Sequence, residues 1–358
     1  MPTVKELSPV TAEPGTPLYV AVKNRLTRAI HEGVFKPGER LPSTQEISRL
    51  LHVSLVTTHR ALQELESQGA VDRLQGRGTF VADADAQRTE HLRLRLMLQP
   101  EASLADYYHG QVLEGMNRGA REARCELSIV QGSGRQKSSA HGYILLNPLA
   151  EQVDALADAV KRSVPVLVAG ARHDVLPWLD VDNVDLIEQA LAHAHQLGHR
   201  RVAFIGGADE LSNSRDRRAG FVRGCERFHL KPETRRDVIA KAWRLDPDER
   251  MTVHDMLTGE HRPSAVIAGG YHLALDVYQI ANTLGLDIPG DLTVIGVDDP
   301  PSAAHLDPPM TTLAQPLIHL GHAAVQRMIN AVRGSTPLPP RQTLRANLVI
   351  RGSSGPAA

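Results

Sequence analysis

The apolar residues of this chain follow two different patterns, and the change between them divides the sequence. Up to residue 82 they recur at intervals of three and four, the period of an amphipathic helix. From residue 92 onward, short uninterrupted apolar runs alternate with longer stretches of helical period. Short apolar runs of this kind are typical of strands buried in a parallel sheet. The sequence therefore predicts a helical amino-terminal domain followed by a larger α/β region.

The first predicted helix is marked by an apolar stripe. Val22, Leu26, Ala29 and Ile30 fall on one side of a helix, and Gly33 is placed to end it. The turn that follows leads directly into a second helix.

A capping box marks the start of that second helix. Ser43 is followed three residues later by Glu46, so the serine oxygen can accept from the Glu46 amide while the carboxylate reaches back. Ile47, Leu50 and Leu51 recur at helical spacing and give this helix one buried face.

A third helix is predicted after the short break at His52 and Val53, with Ser54 as its cap and Gly69 at its end. The apolar residues of its inner face are Ala61, Leu62 and Leu65. The residues predicted for the opposite face are Leu55, Thr58 and His59. Two helices at this spacing, the second with a small polar face, suit the major groove of DNA.

A small hairpin is predicted directly after the third helix. Residues 70–73 and 79–81 read as its strands, and Gly76 and Gly78 allow the dihedrals that a tight turn requires. Arg77 places a positive charge at the tip. Helix, turn, helix and hairpin together form the layout of a winged helix-turn-helix.

Beyond residue 91, predicted strands and helices alternate. The strands are 92–98, 127–130, 143–146, 165–169, 201–205, 265–268 and 292–297. The helices are 107–123, 152–161, 184–197, 217–228, 246–256 and 273–284. This alternation predicts helices packed on both faces of a parallel sheet, which binds small ligands at the carboxyl ends of its strands.

The linking segments and chain ends divide the sequence into five parts. Residues 1–15 are predicted to be disordered, 16–82 form the DNA-binding domain, and 83–91, which are small and polar, form a linker. Residues 92–352 form the α/β domain, and 353–358 form a tail.

The composition of the chain indicates its cellular compartment. The chain has 358 residues, 42% of them hydrophobic, and only two cysteines, too few for a disulfide framework. No apolar run approaches the roughly 18 residues that span a bilayer, and the start lacks a signal pattern. We therefore expect a cytoplasmic protein. The net charge of the chain is -1, but the charged residues are unevenly distributed, because residues 16–81 carry nine basic and six acidic side chains.

The amino-terminal motifs resemble the DNA-binding domain of the GntR family of bacterial transcription regulators. The motifs that carry the resemblance are Pro17-Leu18-Tyr19, Leu41-Pro42-Ser43, Arg60-Ala61-Leu62 and Gly76-Arg77-Gly78-Thr79-Phe80-Val81, with the turn at 33–38 and Val53-Ser54 between them. Members of the family often have Arg where this chain has Gln45, Leu55 and His59. The residues then expected to contact DNA are Ser43, Thr44, Gln45, Ser54, Leu55, Thr57, Thr58, His59, Arg60, Gln75, Gly76, Arg77 and Gly78.

Residues 92–350 resemble the effector domain of the LacI/GalR family. The motifs include Val181-Asp182-Asn183, Leu197-Gly198-His199-Arg200-Arg201, Arg217-Arg218-Ala219-Gly220-Phe221 and Ile295-Gly296-Val297-Asp298-Asp299. The resemblance implies two Rossmann-like lobes as in periplasmic binding proteins, three crossovers, the first near residue 181, and a ligand between the lobes. Combined with the first domain, it resembles the arabinose-repressor type of regulator.

The same resemblance implies an effector site. Arg217 begins R-x-x-G-F, whose arginine contacts ligand hydroxyls or a carboxylate in the family, and Asp298 follows the last predicted strand. Trp243 stands where relatives place a ring against a sugar. Gly270-Tyr271 replaces a frequent Asn-Asp pair, which adds a ring. The remaining candidates are Tyr107, Tyr108, Asp182 and Asn183. Residues 131–142 are too few for the helix that relatives carry there.

Enzymatic and metal sites are not favoured. His195 and His199 are placed to lie four apart on one helix face, with His193 nearby, but no Glu completes an H-E-x-x-H motif. Gly206-Gly207 lacks the other glycines of a dinucleotide site. We expect no catalytic residues, no metal and no cofactor.

These features predict a repressor of carbohydrate-utilisation genes that a small sugar-like effector releases from DNA. A homodimer would place one winged helix in each half of a near-palindromic operator. The alternative is a sugar-processing enzyme or ligand carrier with an accessory helical domain. The sequence leaves open the effector's identity, and whether it induces or co-represses.

Overall fold

The computed structural model describes residues 17–67, 70–74, 78–82, 92–132, 140–230 and 235–357. The chain divides into two compact units, Met1–Leu92 and Arg93–Ala358. Several predictions lie outside the described residues: the disordered start 1–15, Gly69, Gln75, Gly76, Arg77, the linker 83–91 and most of the 131–142 connection.

The first unit is the expected winged helix-turn-helix. Its elements are α1 (Leu18–His31), α2 (Thr44–Leu50), α3 (Leu55–Ser67), β1 (Val71–Leu74) and β2 (Gly78–Val81). The two strands pair antiparallel, with Val71 opposite Val81. Val22, Leu26 and Ile47 are fully buried between the helices, so the apolar stripes predicted from the sequence do meet in one core.

Both predicted helix caps form. The Glu46 amide donates to Ser43 Oγ at 3.3 Å, and the Ser43 amide donates to Glu46 Oε2 at 2.7 Å, which completes the capping box of α2. At the start of α3, the Thr57 amide donates to Ser54 Oγ at 3.1 Å. Each bond satisfies an amide that a helix leaves without an internal partner.

One prediction about α3 was wrong. Thr58 lies on the buried face, with no exposed surface, and its Oγ1 donates to the Ser54 carbonyl at 3.1 Å. The exposed face instead carries Val56, with Arg60 and Gln63 four and seven residues later. Because Ala61, Leu62 and Leu65 occupy the core side, Thr58 falls beside them on the helix.

The second unit contains two lobes, each built on a six-stranded sheet. The first sheet uses β3 (Arg93–Leu98), β4 (Glu126–Gln131), β5 (Gly142–Leu146), β6 (Val166–Ala169), β7 (Trp178–Val181) and β13 (Arg341–Leu344), in the order β13-β7-β6-β5-β3-β4. All neighbouring pairs in it are parallel.

The second sheet has the same design with one reversed strand. It uses β8 (Val202–Gly206), β9 (Arg235–Ile239), β10 (Ala265–Ala268), β11 (Thr293–Val297), β12 (Thr311–Ala314) and β14 (Asn347–Val349), in the order β14-β12-β11-β10-β8-β9. Only the edge pair of β12 with β14 is antiparallel.

Helices cover these sheets. They are α4 (Tyr107–Glu122), α5 (Ala150–Asp154), α6 (Ala157–Lys161), α7 (Asn183–Gln196), α8 (Ser212–Arg227), α9 (Pro247–Thr258), α10 (Tyr271–Thr283) and α11 (Leu317–Val332), with a short 3₁₀ turn at Pro301–His305. The two-lobed fold that the sequence predicts is therefore present.

The chain passes between the lobes three times: after β7 near residue 182, after β12 near 315, and between β13 and β14 near 345. The first crossover lies where the sequence predicted it. The second sends α11 back to the first lobe, where it packs closely on α4. A Cβ on Gly115 would stand 2.0 Å from the Ile318 carbonyl oxygen, and one on Gly321 would stand 2.0 Å from that of Val112.

Several boundaries differ from the prediction. The helix predicted at 152–161 is divided into α5 and α6, and Leu156, which lies between them, is buried in the core. Helix α8 begins five residues before Arg217. Strand β4 is an edge strand with half its residues exposed, since it pairs only with β3.

The predicted tail is part of the second lobe. Ser353 is fully buried, and its Oγ donates to the Val294 carbonyl at 2.6 Å. Further along, the Gly355 amide donates to Thr293 Oγ1 at 3.0 Å. These contacts hold this segment against the start of β11. Within the described residues, no helix has the length and apolar character needed to cross a membrane.

Candidate functional site

A cavity of about 250 Å³ lies between the two lobes of the second unit. The first lobe contributes Glu101, Ser103, Asp106, Tyr107, Tyr108, His109 and Asn147. The second lobe and the crossover contribute Asn213, Arg217, Trp243, Gly270, Tyr271, His272, Asp298 and Gln315. Six of the eight predicted effector residues line it; Asp182 and Asn183 do not.

Arg217 is the buried cation of this cavity. Its side chain projects from the second turn of α8, with Nε donating to Asn183 Oδ1 at 2.8 Å and Nη1 donating to the Gly269 carbonyl at 2.5 Å. Among the described residues Nη2 has no hydrogen-bond partner, so it is available to a ligand. Burial lowers the pKa of the guanidinium, while Asp298 and Asp180 oppose that shift.

Asp298 supplies the matching acceptor. It follows β11 in a left-handed backbone conformation, with φ of 74°. Gln315, at the second crossover, donates from Nε2 to Asp298 Oδ1 at 2.7 Å, which leaves Oδ2 to the cavity. Burial raises the pKa of this carboxyl, and the charge of Arg217 opposes the shift.

Trp243 covers the backbone at two strand ends. A Cβ on Gly207 or on Gly270 would lie 2.9 Å from carbons of its ring, so any larger residue there would displace the indole. The Arg217 guanidinium carbon lies 5.3 Å from the ring centroid, within the range of a cation–π contact. Gly207 and Gly270 therefore make room for Trp243.

The first lobe presents its rings from the start of α4. Asp106 caps this helix by accepting from the Tyr108 amide at 3.0 Å, which aims the first helical residues at the cavity. Burial raises the pKa of both Tyr107 and Tyr108. Across the cleft, the Tyr271 hydroxyl hydrogen-bonds to Ser302 Oγ at 2.6 Å.

Asp182 and Asn183 do not line the cavity and make structural contacts instead, so their expected role in effector binding stays a prediction. Asp182 caps α7 by accepting from the Asp185 amide at 3.0 Å. Asn183 is buried and holds Arg217, while its Nδ2 donates to Asp180 Oδ2 at 3.0 Å. Burial raises the pKa of Asp180 to about 7. The first crossover thus supports the cavity from behind.

Two polar contacts connect the two lobes at the edge of the cleft. His272 Nε2 lies 3.5 Å from Asp106 Oδ2. Arg244 Nη2 donates to His272 Nδ1 at 3.1 Å, and His272 Nε2 faces Asp106. Hydrogen bonding to His109 lowers the pKa of Asp106 and keeps it ionised. Arg172 and Asp216 form a second pair between the lobes.

The sequence missed several residues of the cavity. Asp106 and His272 are each adjacent in sequence to a predicted effector residue, and this adjacency was the one feature that could have indicated them. Asn147, Asn213 and Gln315 lie in or beside loops without a motif, and nothing in the sequence distinguished them.

The three histidines considered as metal ligands are separated by their bonds. His193 Nε2 pairs with Ser354 Oγ at 2.9 Å, and His195 stacks on Phe228. His199 lies beyond the end of α7 and hydrogen-bonds to Ser264 Oγ at 2.9 Å; the expected shared helix face was therefore wrong. No candidate metal cluster occurs within the described part of the chain.

The expected DNA-contacting residues of the first unit are mostly at its surface. Of those that the structure describes, six are exposed (Ser43, Gln45, Ser54, Leu55, His59 and Arg60), three are half-buried (Thr44, Thr57 and Gly78), and Thr58 alone is buried. The Arg60 guanidinium carbon lies 4.1 Å from the centroid of the Tyr19 ring, which holds this cation beside the exposed face of α3.

Two family models match the chain. Residues 18–81 match the gntR family of bacterial regulatory proteins, and residues 191–354 match the periplasmic binding protein-like domain. The arabinose metabolism transcriptional repressor of Geobacillus stearothermophilus is 24% identical over 337 residues, which cover 88% of this chain and 91% of that protein.

Solved structures agree with these matches. A LacI transcriptional regulator from a Rhodococcus species is 26% identical, covers 74% of this chain and 99% of its own, and has a TM-score of 0.62. The lac repressor dimer bound to operator and an anti-inducer is 20% identical, covers 77% of this chain and 99% of its own, and has a TM-score of 0.63. The chain therefore joins a domain that matches the gntR family of bacterial regulatory proteins to a periplasmic binding protein-like domain, a combination found in transcriptional regulators rather than in enzymes.

Proposed function

We propose that this regulator represses genes of carbohydrate use and leaves its operator when a monosaccharide-sized effector binds between its lobes. One observation carries the effector class: Arg217 Nη2, Asp298 Oδ2 and the Trp243 ring border a single cavity. A guanidinium donates and a carboxylate accepts, so together they suit the hydroxyls of a sugar. The indole offers its apolar face to the C–H face of the ring.

The cavity volume supports a small effector. At about 250 Å³ it is slightly smaller than the roughly 300 Å³ at the lower end of small-molecule sites. A monosaccharide or sugar acid is the matching size. The arabinose metabolism repressor, similar to this chain over nearly its whole length, is named for the same class of pathway.

The DNA partner follows from the first domain. A winged helix-turn-helix reads only a short half-site, so two copies of the chain on a near-palindromic operator give the required affinity. The lac repressor, which shares the fold of the second domain, binds its operator as a dimer. We therefore assign a homodimer, working in the cytoplasm where the chromosome lies.

Effector binding must then change the affinity for DNA. A ligand that contacts both lobes favours the arrangement in which the lobes are close. It shifts the equilibrium between the open and closed arrangements only by the difference in its affinity for the two. Coupling of about 1 to 3 kcal/mol would weaken operator binding by roughly 5- to 150-fold.

The test is fluorescence anisotropy of the full chain on DNA from upstream of its own gene, titrated with monosaccharides, polyols and sugar acids. We expect salt-dependent binding that one compound releases. The chain has two tryptophans, so the same compound should change the emission of Trp243 in the wild type but not in Trp243→Phe, which retains Trp178.

Two results would contradict the proposal. If the protein bound no DNA from this region more tightly than random DNA, the proposed repressor function would be wrong. Turnover of the releasing compound would instead support the enzymatic alternative, which no observed arrangement of side chains favours.

A further inference from the structure

An exposed apolar pair stands at the amino-terminal end of the DNA-reading helix α3. Val56 exposes 79% of its surface and Leu55 exposes 50%, although both lie on a helix whose other side is fully packed. Leu62 and Leu65 already fill the core and have no exposed surface. Neither Leu55 nor Val56 is therefore needed for folding.

The surroundings of this pair are polar. His59, Arg60 and Gln63 continue the exposed face of α3 toward its carboxyl end. Arg60 is held over the Tyr19 ring. Large apolar side chains with most of their surface in water, on a face otherwise made for polar contact, indicate a partner group that is itself apolar.

The major groove offers one apolar group on its base edges, the 5-methyl of thymine. Guanine is read most often by the guanidinium of arginine, which can bond its O6 and N7 together. On the outward face of α3 only Arg60 could do this, and Val56 lies one turn nearer the helix start. At its amino-terminal end, the outward face of α3 is therefore better suited to thymine than to guanine.

We propose that Val56, supported by Leu55, reads thymine methyl groups and so requires an A·T pair at a fixed position of each operator half-site. This inference rests on the proposed function, because it assumes that α3 enters the major groove of an operator. It assigns base specificity to a residue that no motif singled out.

The test begins by selecting tight-binding duplexes from a random pool with the full chain. Each thymine of the selected sequence is then replaced singly by uracil, which lacks only the methyl group. At one position per half-site we expect affinity to fall about fourfold, since burying one carbon contributes roughly 0.8 kcal/mol.

Variants locate the effect. In Val56→Ser the thymine and uracil duplexes should bind equally, whereas Val56→Thr, which retains one methyl, should keep part of the difference. Val175→Ser is the matched control, because Val175 is 84% exposed in the second unit and should leave the difference unchanged. Thermal melting verifies that all three variants fold.

The outcomes separate the two claims. No enriched sequence in the selection would overturn the proposed function, and this inference with it. An enriched sequence that tolerates uracil at every position would overturn the thymine reading alone. So would a Val56→Ser variant that still prefers thymine, or one that instead loses self-association, which would make the pair a contact between copies of the chain.

Discussion

The two walls of the effector cavity are built differently. The second lobe assembles its wall from four separate places, at Arg217, Trp243, Tyr271 and Asp298. The first lobe draws nearly all of its wall from one segment, residues 101–109. One wall needs a folded sheet to bring its residues together, whereas the other needs only the start of one helix.

The walls also differ in how firmly they are held. Arg217 is 4% exposed and bonded on two sides, and the Trp243 ring rests on two glycines. Asp106 keeps about a third of its side chain exposed, and its Oδ2 reaches the other lobe through a contact of 3.5 Å with His272 Nε2. We infer that the second lobe holds the effector and that the first lobe closes over it, and we call the two sides of the cavity the rigid wall (second lobe) and the mobile wall (first lobe).

The largest expected effect is on the rigid wall. Arg217→Ala should weaken effector binding by about 100-fold, because removing one partner of a buried charge network typically costs 2–5 kcal/mol. Calorimetric titration with the releasing compound measures it. Arg218→Ala is the control, since Arg218 is the next residue but points to Asp237 at the surface.

Operator binding without effector should remain intact in Arg217→Ala. Arg217→Lys keeps the charge but not the planar fork, so it should fall between the wild type and Arg217→Ala. Wild-type affinity in the alanine variant would contradict the assignment of the rigid wall.

An effect of intermediate size on effector affinity is expected from a change in pH. Because burial raises the pKa of Asp298, this carboxyl takes up a proton at a higher pH than usual and then no longer accepts through a charged oxygen. Effector affinity should fall as pH is lowered, approaching about tenfold per pH unit below that pKa. Asp106, His272 and Arg217 also bear on Asp298, so the comparison is with Asp298→Asn.

Titration of both proteins from neutral pH downwards, over the range in which circular dichroism shows that they stay folded, measures this difference. Asp298→Asn should bind more weakly at high pH and depend less on pH. Parallel curves for the two proteins would assign the pH dependence to another group.

The smallest effect should come from the mobile wall. Asp106→Asn and His272→Gln each alter the contact between Asp106 and His272. A double-mutant cycle should give a coupling below about 1 kcal/mol, because both groups are partly solvated. The measured quantity is effector affinity. A coupling as large as the Arg217 effect would remove the distinction between the two walls.

The sequence predicted the rigid wall better than its supports. Arg217 and Asp298 follow motifs tied to strand and helix ends, which is where a parallel sheet presents its ligands. Asn183 carries a similar signal, yet it lies behind Arg217 and holds it in place. A pattern indicates that a polar side chain is required at a position, but not which of its neighbours it will face.

The fold shows the same limit. Long periodic helices such as α4 and α7 were predicted within a few residues. Strand β7 was missed because it is four residues long and contains the buried Asp180. Helix α11 was missed although its apolar stripe is clear, and its docking on the first lobe depends on a crossover that local pattern does not encode.

The close crossing of α4 and α11 has a consequence for how new effector specificities could evolve. Gly115 and Gly321 leave no room for a side chain where these helices meet, so both positions are closed to substitution. Tyr107 and Tyr108 stand on the same helix two turns away and face the cavity. Random mutagenesis followed by selection for a different inducer should therefore accumulate changes at the two tyrosines and leave both glycines unchanged. The start of α4 could then vary while its crossing with α11 stays constant.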